Sequence, residues 1–314
     1  MSILCIGEAL IDMICTDKGR GLSDGEHFLR KAGGAPTNVA AAVAALGGHV
    51  ALAARVGADP FGKHLMDVMR SFGVDTRWMT EDTERFTTFA FVSLMENGER
   101  DFHFNRGADG ALSVGDIAAI PMEPLRILHF GSATAFLPGS LQSAYRHMLE
   151  QAIQNGKFIS FDPNYRHLLY HDRIPSFISQ SLDFIRSCDF FKLSDEEAML
   201  ITGSATIHDA ATALREISSA VFAITLGSEG TLLAYGHETV VVPSIPVEAV
   251  DTTGAGDAFV GAVLYQLQAE AEIRELPMER WVAIVRNANK AGARTCAFMG
   301  AMEAFRHLDK HIFT

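Results

Sequence analysis

Apolar runs of four to six residues, bounded by polar residues or glycine, recur along the 314-residue chain. A strand that is buried on both faces has a continuous apolar run instead of an alternating pattern, so each run predicts a strand of a mostly parallel sheet. The predicted strands cover residues 3–6, 50–54, 127–130, 158–161, 190–193 and 221–226.

Segments with the length expected of helices separate these strands. They cover residues 36–46, 59–72, 138–155, 174–187, 195–202 and 208–217. Strands that alternate with helices predict an α/β fold with a doubly wound sheet, similar to a Rossmann core. A strand at 239–243 and two longer helices, at 255–269 and 278–295, complete the pattern, and we interpret residues 1–314 as a single domain.

Two stretches break this alternation, one over residues 13–31 and the other over residues 86–104. In the second, Asn97-Gly98 lies between the β-rich runs 87–93 and 101–104, a combination that predicts a hairpin. An inserted hairpin is compatible with a small β-sheet that covers an active site as a lid, formed by segments of about 13–32 and 86–106. An edge extension of the main sheet is the alternative interpretation.

The charge balance limits the partners that this chain can have. Its formal net charge is −12 and it has no run of Lys or Arg, which argues against a nucleic-acid partner. Apolar stretches stay below the roughly 18 residues needed to cross a bilayer, so no membrane partner is predicted. The cysteines Cys5, Cys15, Cys188 and Cys296 form no CxxC pair, which is typical of a protein from the reducing cytoplasm.

A glycine-rich turn at residues 251–257, with the sequence Asp-Thr-Thr-Gly-Ala-Gly-Asp, runs directly into the predicted helix at 255–269. The first backbone N–H groups of a helix have no partner inside it and carry partial positive charge. Glycine lets a phosphate approach these groups without obstruction by a side chain. Gly254, Ala255 and Gly256 therefore form a candidate anion hole, through which an acidic protein can hold a polyphosphate.

Asp257 ends the same turn, and two interpretations of it are open at this point. A carboxylate in the first turn of a helix stabilises the helix by a few tenths of a kcal/mol to about 1 kcal/mol. A carboxylate beside a bound phosphate would repel it, a liability that makes sense if the carboxylate takes the proton of an alcohol attacking that phosphate. The pairing of anion hole and carboxylate favours the second interpretation, with Asp257 as the base of an alcohol kinase.

Two motifs of this chain resemble those of the ribokinase-like sugar kinases, also called the PfkB family. Residues 251–261 resemble the C-terminal signature of the family, and residues 33–48, which begin Gly-Gly-Ala-Pro-Thr-Asn-Val-Ala, resemble its N-terminal signature. The resemblance covers nearly the whole chain. It implies an ATP-dependent sugar kinase with an α/β core and a β-sheet lid, in which Asp257 is the catalytic base and Gly254, Ala255 and Gly256 are the anion hole.

The resemblance also implies that Asp12, Gly33, Gly34 and Asn38 contact the sugar. The chemistry of these residues suits a polyol, because an amide both donates and accepts and a carboxylate can accept from two hydroxyls. Asp12 ends the first strand segment, at the edge where a parallel sheet binds its ligands. A turn before a helix is the simpler interpretation of the two glycines alone.

Two arginines are further candidates for the substrate side. Arg106 follows the predicted hairpin, where it could reach a hydroxyl or a phosphate, although a solvated arginine is the plainer interpretation. Arg166 ends the sequence Asp-Pro-Asn-Tyr-Arg at 162–166, which follows a predicted strand and resembles a segment of fructose-specific relatives. We expect Arg166 on the substrate side.

The nucleotide end carries no phosphate-binding motif of the common classes. Neither G-x-x-x-x-G-K-[ST] nor a spaced G-x-G-x-x-G after a strand occurs, so neither a P-loop nor a dinucleotide fold with hydride transfer is supported. The segment from Lys192 to Glu197 resembles the Asn-x-x-Glu segment of the family, with Ser194 in place of Asn. The resemblance implies that Lys192 and Glu197 lie at the nucleotide, and that Glu197 supports Mg²⁺ through water.

Further nucleotide contacts follow from the resemblance alone. It implies that Thr225, Gly227 and Gly230 lie along the phosphates and ribose, and that Asn289 lies near the adenine. A plain turn between strands is the alternative for the glycine loop. Mg²⁺ is also expected from the chemistry, since a few carboxylates plus substrate phosphates commonly hold it.

A monovalent cation site is implied as well. Many relatives bind such an ion through backbone oxygens, at positions that correspond to Asp251, Thr253 and Gly300. Because carbonyl ligands leave no trace in the side chains, potassium is an expectation from the resemblance only.

The substrate is the least determined part of the prediction. Phosphorylation of D-fructose to fructose 6-phosphate is our first hypothesis, because the segments at 33–40 and 162–166 resemble fructose-specific members most. Ribokinase, 2-keto-3-deoxygluconate kinase and aminoimidazole riboside kinase are alternatives on the same fold. A sugar or nucleotide sensor without catalytic activity is the alternative of a different class.

The resemblance further implies a homodimer through the lid, whose apolar face we expect to include Phe89, Phe91 and Phe102.

Overall fold

The computed structural model describes residues 2–95 and 100–313. Within this part of the chain the strands are β1 (Ile3–Ile6), β2 (Leu10–Cys15), β3 (Phe28–Gly33), β4 (Val50–Gly57), β5 (Met79–Asp82), β6 (Phe89–Leu94), β7 (Arg100–Asn105), β8 (Ile127–Phe130), β9 (Phe158–Phe161), β10 (Phe190–Ser194), β11 (Val221–Thr225), β12 (Thr231–Tyr235) and β13 (Glu238–Val242). The helices are α1 (Ala35–Ala45), α2 (Pro60–Phe72), α3 (Val114–Ile117), α4 (Ser140–Gln154), α5 (His167–Tyr170), α6 (Ile174–Ser187), α7 (Asp195–Thr202), α8 (Ile207–Ile217), α9 (Ala255–Gln268), α10 (Met278–Cys296) and α11 (Ala301–Phe305).

The main sheet has the strand order β13-β12-β11-β10-β9-β8-β1-β4-β5 over the described residues. All neighbours from β11 to β5 pair in parallel, while β12 and β13 run antiparallel at one edge. Helices cover both faces of this sheet. The predicted α/β fold with a doubly wound, mostly parallel sheet is therefore confirmed.

The two faces of the main sheet bury separate cores. In β1, Ile3 and Cys5 pack into one core and Leu4 and Ile6 into the other, because successive side chains of a strand point to opposite faces. Helices α1, α2, α9 and α10 cover the first core, and α4, α6, α7 and α8 cover the second. Burial on both faces explains why β1 appears in the sequence as a continuous apolar run.

A second sheet contains the strands β3, β2, β6 and β7 in that order. Strands β6 and β7 pair antiparallel as the predicted hairpin, although its turn at 96–99 lies outside the described residues. Strands β2 and β3 reach Leu10 and Gly33, slightly beyond the predicted segment. The small β-sheet is thus confirmed, and the alternative of an edge extension is wrong, because over the described residues these strands form a sheet of their own.

The expectation that Phe89, Phe91 and Phe102 share one apolar face of the small sheet is wrong. Directly opposite residues of paired strands point to the same face, and Phe102 pairs with the residue that follows Phe91. The ring of Phe89 packs on Phe61 of α2, with ring centroids 4.9 Å apart. Phe102 lies on the other face of the sheet, together with Asp12.

Strand β5 has no counterpart in the sequence-based prediction. Its sequence is Met-Thr-Glu-Asp, and it lies at the edge of the main sheet, where it pairs only with β4 among the described strands. An edge strand does not need the continuous apolar run that marks a central strand. Over the described residues, no helix combines the length and the apolar character needed to cross a membrane.

Candidate active site

Helix α9 begins at the glycine-rich turn, as predicted. Gly254 precedes its first residue with φ +81°, and a Cβ there would lie 2.5 Å from the Cβ of Ala301, so this position requires glycine. The Ala255 N–H donates to the Thr252 carbonyl at 3.2 Å. Within the described part of the chain, the N–H groups of Gly254 and Gly256 have no hydrogen-bond partner, so of the three predicted amides these two are open to an anion.

Asp257 lies in the first turn of α9, with 7% of its surface exposed. The Nδ2 of Asn38 in α1 donates to its Oδ2 at 2.8 Å. Burial raises the pKa of Asp257 to about 6, because loss of water disfavours a charged carboxylate. The bond from Asn38 and the positive charges of Arg166 and Lys192 act in the opposite direction. The carboxylate is therefore ionised at neutral pH and more basic than an exposed aspartate.

Asp12 of β2 and Gly33 of β3 lie together at the predicted sugar end. A Cβ on Gly33 would lie 2.1 Å from the Oδ2 of Asp12, so the missing side chain leaves room for this carboxylate. Burial raises the pKa of Asp12 to about 7, and the positive charge of Arg166 opposes this rise. Gly34 follows as the N-terminal cap of α1. Near neutral pH, Asp12 can consequently both accept and donate a hydrogen bond.

Arg166 is held at the end of a tight loop that follows β9. Asn164 in this loop is buried and has φ +47°, a conformation that residues other than glycine rarely adopt. Its N–H donates to the Oδ1 of Asp162 at 3.2 Å, and its Oδ1 accepts from the Nη2 of Arg166 at 3.0 Å. The charge of Arg166 acts on both Asp12 and Asp257, so the loop brings the guanidinium close to the two carboxylates.

Arg106 lies where the chain returns from β7 to the main sheet. Its Nε is 3.4 Å from the Asp109 carboxylate, and its terminal nitrogens donate to the carbonyls of Pro138 at 2.8 Å and Thr134 at 3.1 Å. These bonds tie the base of the small sheet to the loop after β8. A substrate contact of Arg106 stays a prediction, because protein partners already engage three of its nitrogens.

Lys192 is the central residue of β10, and its side chain is almost completely buried. Its Nζ is 3.2 Å from the Oδ2 of Asp162, and a Cβ on Gly256 would also lie 3.2 Å from it. Burial disfavours the ammonium, but the carboxylates of Asp162, Glu197 and Asp257 outweigh this effect and raise the pKa of Lys192. A positive charge thus lies directly beside the candidate anion hole.

Glu197 and Ser194 form the start of α7. The Ser194 hydroxyl accepts from the Glu197 N–H at 3.1 Å, and the Glu197 carboxylate accepts from the Ser194 N–H at 2.7 Å. This reciprocal pair is a capping box, so serine in place of asparagine keeps the helix start satisfied. The other Glu197 oxygen accepts from the Tyr165 N–H at 2.7 Å. Glu197 thereby joins the predicted nucleotide side to the loop that carries Arg166.

The glycine loop predicted for the nucleotide connects β11 and β12. Thr225 ends β11, and its hydroxyl donates to the Leu193 carbonyl at 3.3 Å. Gly227 and Gly230 bound the short turn that follows. The loop lies next to the carboxyl end of β10, because Thr225 pairs with Ser194, the last residue of that strand.

Asn289 of α10 is buried, and both ends of its amide are engaged. Its Nδ2 donates to the Val242 carbonyl at 2.9 Å, and its Oδ1 accepts from the Thr231 hydroxyl at 2.7 Å. The amide therefore fixes the end of β13 against α10. A contact of Asn289 with adenine stays a prediction.

Asp251, Thr253 and Gly300 come together around the Asp251 carboxylate. Its Oδ1 accepts from the N–H and the hydroxyl of Thr253 at 2.9 and 2.7 Å, and its Oδ2 accepts from the Gly300 N–H at 2.8 Å. These bonds fix the turn that leads into α9. Over residues 2–95 and 100–313, no group of three or more His, Cys, Asp or Glu side chains could hold a metal ion.

Glu8 is a further residue of this region that the sequence pattern did not single out. Its buried carboxylate accepts from the Ala35 N–H at 3.0 Å and from the Ser132 hydroxyl at 2.5 Å, and burial raises its pKa. It thus ties the start of α1 to the loop after β8. Like Asp162 and Asn164, to which the sequence motif assigned no role of their own, Glu8 lies shortly after a parallel strand, and that position could have marked all three.

Comparison with known proteins assigns this arrangement to a family. The model of the family described as "pfkB family carbohydrate kinase" matches residues 1–306. The chain is 35% identical over 305 residues to Probable fructokinase-2 of Arabidopsis thaliana, an alignment that covers 96% of this chain and 92% of that protein.

Solved structures of fructokinases are similar along the whole chain. A fructokinase from Vibrio cholerae O395 in its fructose, ADP and calcium ion bound form has a TM-score of 0.85 at 30% identity, covering 100% of this chain and 98% of that one. A double mutant of the fructokinase from the same organism, in its fructose, ADP and potassium ion bound form, has a TM-score of 0.84 at 28% identity, covering 100% and 97%. The chain therefore belongs to the pfkB family of carbohydrate kinases and is an ATP-dependent sugar kinase.

Proposed function

We propose that this enzyme transfers the γ-phosphoryl group of ATP to D-fructose and forms fructose 6-phosphate, with Asp257 as the base and the turn from Gly254 to Gly256 as the anion hole. The observation that carries the proposal is the pairing at the start of α9, where a buried carboxylate lies beside N–H groups that have no partner among the described residues. Such a pairing serves a reaction in which an alcohol attacks a phosphate.

The proposed reaction balances through Asp257. The sugar hydroxyl gives its proton to the carboxylate while its oxygen forms a bond to the γ-phosphorus, and the bond from that phosphorus to the oxygen of ADP breaks. Because the pKa of Asp257 is about 6, the carboxylate is ready to accept the proton near neutral pH. Positioning supplies most of the rate in phosphoryl transfer, so Asp257 orients the hydroxyl as much as it deprotonates it.

Lys192 and a bound Mg²⁺ would support the transfer. Lys192 lies beside Gly256, where its ammonium stabilises negative charge on the transferring group. Each oxygen of the Glu197 carboxylate accepts one N–H within the described part of the chain and retains a lone pair, so it fits the predicted support of Mg²⁺ through water. When bound, Mg²⁺ supplies charge neutralisation at the β- and γ-phosphates.

Fructose is proposed as the sugar on the basis of the relatives. The similar Arabidopsis protein is named Probable fructokinase-2, and the Vibrio structure contains fructose. In this chain, Asp12, Arg166 and Asn38 present a carboxylate, a guanidinium and an amide to the same region, groups that suit a polyol.

A coupled ADP-release assay tests the substrate. The assay compares fructose, ribose, 2-keto-3-deoxygluconate and aminoimidazole riboside at equal ATP, and we expect the highest kcat/KM for fructose. A higher kcat/KM for any of the other three would reject fructose as the sugar and leave the kinase reaction in place.

A monovalent cation at the turn of Asp251, Thr253 and Gly300 is part of the proposal, as are nucleotide contacts of the loop with Gly227 and Gly230. The bonds around Asp251 hold that turn directly before the anion hole, so a cation there would fix the geometry of α9. Replacement of K⁺ by tetramethylammonium in the assay is expected to lower kcat, whereas an unchanged kcat would exclude a required ion.

We further propose a single-domain cytoplasmic enzyme whose small sheet serves as lid and as the surface of a homodimer. On the face that carries Asp12, the sheet exposes Ile14, Leu29 and Leu94 by 38%, 43% and 60%. An exposed apolar patch is typical of a protein interface. Sedimentation at micromolar concentration is expected to give a dimer, and Leu94→Glu a monomer.

A further inference from the structure

The proposed base accepts a side-chain hydrogen bond from a different helix. Asn38 of α1 and Asp257 of α9 are 219 positions apart in sequence, and their side chains form a hydrogen bond of 2.8 Å. One turn further along both helices, Ala42 faces Gly261, where an added Cβ would lie 2.6 Å from the Ala42 methyl. This close approach of two small residues sets the distance between the helices, and it brings Asn38 within reach of the carboxylate.

The orientation of the Asn38 amide follows from the chemistry of its partner. An ionised carboxylate only accepts hydrogen bonds, so the atom that faces Asp257 is the NH₂ group. The Oδ1 of Asn38 is buried and has no partner among the described residues. A buried acceptor without a partner destabilises the folded protein, so an amide that only stabilised the fold would be poorly placed here.

From this geometry we infer that Asn38 is a positioning residue for the base: its NH₂ group occupies Oδ2 of Asp257 and leaves Oδ1 for the hydroxyl that attacks the phosphate. The bond fixes the rotation of the carboxylate in the first turn of α9, next to the open amides. This role rests on the proposed function, because it presupposes that Asp257 is the base. It differs from a contact of Asn38 with the sugar, since it acts through Asp257.

The electrostatic surroundings of Asp257 make this role measurable. The charged groups that act on it are Arg166 and Asp162 from the loop after β9 and Lys192 from β10. Burial raises the pKa of Asp257 to about 6, and the bond from Asn38 is the largest effect that lowers it. Removal of that bond moves the pKa upward. Because the base acts in its ionised form, the loss of activity on acidification then begins at a higher pH.

The test compares pH profiles of kcat at saturating fructose and ATP for the wild type and Asn38→Ala. We expect kcat at pH 7 to fall by about tenfold or more, since a hydrogen bond to a charged group is lost, and the acidic limb to move up by about one pH unit. In Asn38→Ser, whose hydroxyl can still donate, we expect the acidic limb to move in the same direction by a smaller amount.

Asn287→Ala is the matched control. Its Nδ2 also makes one bond of 2.8 Å, to Gln266, and its side chain is half-buried at the opposite end of α9. We expect it to leave the acidic limb unchanged. Thermal unfolding of each variant checks that the protein is folded. An Asn38→Ala protein with an unshifted limb and a loss confined to the sugar KM would overturn the positioning role in favour of a sugar contact.

A double-mutant cycle with Asp257→Asn separates the two roles further. If Asn38 acts through Asp257, its removal should cost little in a protein that already lacks the base. If the fold losses in kcat of the two single variants multiply in the double variant, the inferred role is overturned.

A sugar-free measurement keeps this role separate from the proposed substrate. Titration of the Asp257 carboxyl by ¹³C NMR in the protein without ligands should give a higher pKa in Asn38→Ala. If the wild type does not phosphorylate fructose but this pKa rises in Asn38→Ala, fructose is rejected as the sugar. The coupling between Asn38 and Asp257 then stands. If fructose is phosphorylated but neither the carboxyl pKa nor the acidic limb moves, the coupling is rejected.

Discussion

The phosphate end and the sugar end of this site are built in different ways. At the proposed phosphate end, Gly254, Gly256 and Asp257 belong to one turn and present backbone N–H groups and a single carboxylate. At the sugar end, Asp12 comes from the small sheet and Arg166 from a loop of the main sheet. In the proposed mechanism, backbone N–H groups of a glycine turn fix the reaction, while side chains from separate elements select the sugar. A fold of this kind can therefore keep its chemistry and change its substrate.

The two ends also differ in how their carboxylates are used. Burial raises the pKa of Asp257 to about 6 and that of Asp12 to about 7. Near neutral pH the first is ionised and can take a proton, while the second is partly protonated and can donate as well as accept. Arg166 acts on both, so it is the residue that couples the ends electrostatically.

The largest expected effect breaks the phosphate end. Asp257→Asn removes the base and should lower kcat by about 10²–10⁴-fold, the range typical of general-base catalysis, with ATP affinity largely retained. Steady-state kinetics and nucleotide titration measure the two quantities. Asp183→Asn, an exposed aspartate of α6, is the control. Turnover of Asp257→Asn at the wild-type rate would contradict the assignment of the base.

The next effect addresses the sugar end. Arg166→Ala removes the guanidinium near Asp12 and Asp257 and should raise the sugar KM by about 10- to 100-fold, with a smaller change in the KM for ATP. The ratio of the two KM changes is the measurement, with the exposed Arg146→Ala as the control. Equal changes in both would show that Arg166 does not belong to the sugar end alone.

A third test uses the free-energy cost of ionising the buried carboxyl group of Asp257. The pKa of Asp257 is about 6 in the folded protein and about 3.9 in an unfolded chain, so the folded state binds more protons between these values. The free energy of unfolding therefore falls as pH rises through this window. Asp257→Asn should be more stable than the wild type by roughly 1–3 kcal/mol at pH 7.5, and by nothing near pH 4. Urea unfolding at both pH values measures it, and a destabilised variant at pH 7.5 would be the opposite result.

The smallest effect is expected from a substitution in the proposed anion hole. A Cβ on Gly256 would lie 3.2 Å from the Nζ of Lys192, in the space that a phosphate needs to approach the amide. Gly256→Ala should raise the KM for ATP by about tenfold and change the sugar KM less. Gly115→Ala, where a Cβ meets only the Ser113 hydroxyl at 3.5 Å, is the control. An unchanged KM for ATP would place the phosphate elsewhere.

Much of the fold could be predicted from the sequence because its determinants are local. The central strands are buried on both faces, so their apolar runs identify them, and the hairpin of β6 and β7 follows from the Asn-Gly dipeptide between β-rich runs. The edge strand β5 was missed because its sequence carries no such run. The shared face of Phe89 and Phe102 was wrong because strand register depends on the pairing, which a one-residue shift reverses.

The sequence by itself determined the start of α9: the glycines and Asp257 lie within one turn, where a few residues decide the backbone and its open N–H groups. Only the tertiary structure decided that Asn38 bonds Asp257 and that the charge of Arg166 acts on both Asp12 and Asp257. The reason is physical. Backbone rules act over a few residues, whereas burial, charge and contact depend on distances between elements that are far apart along the chain.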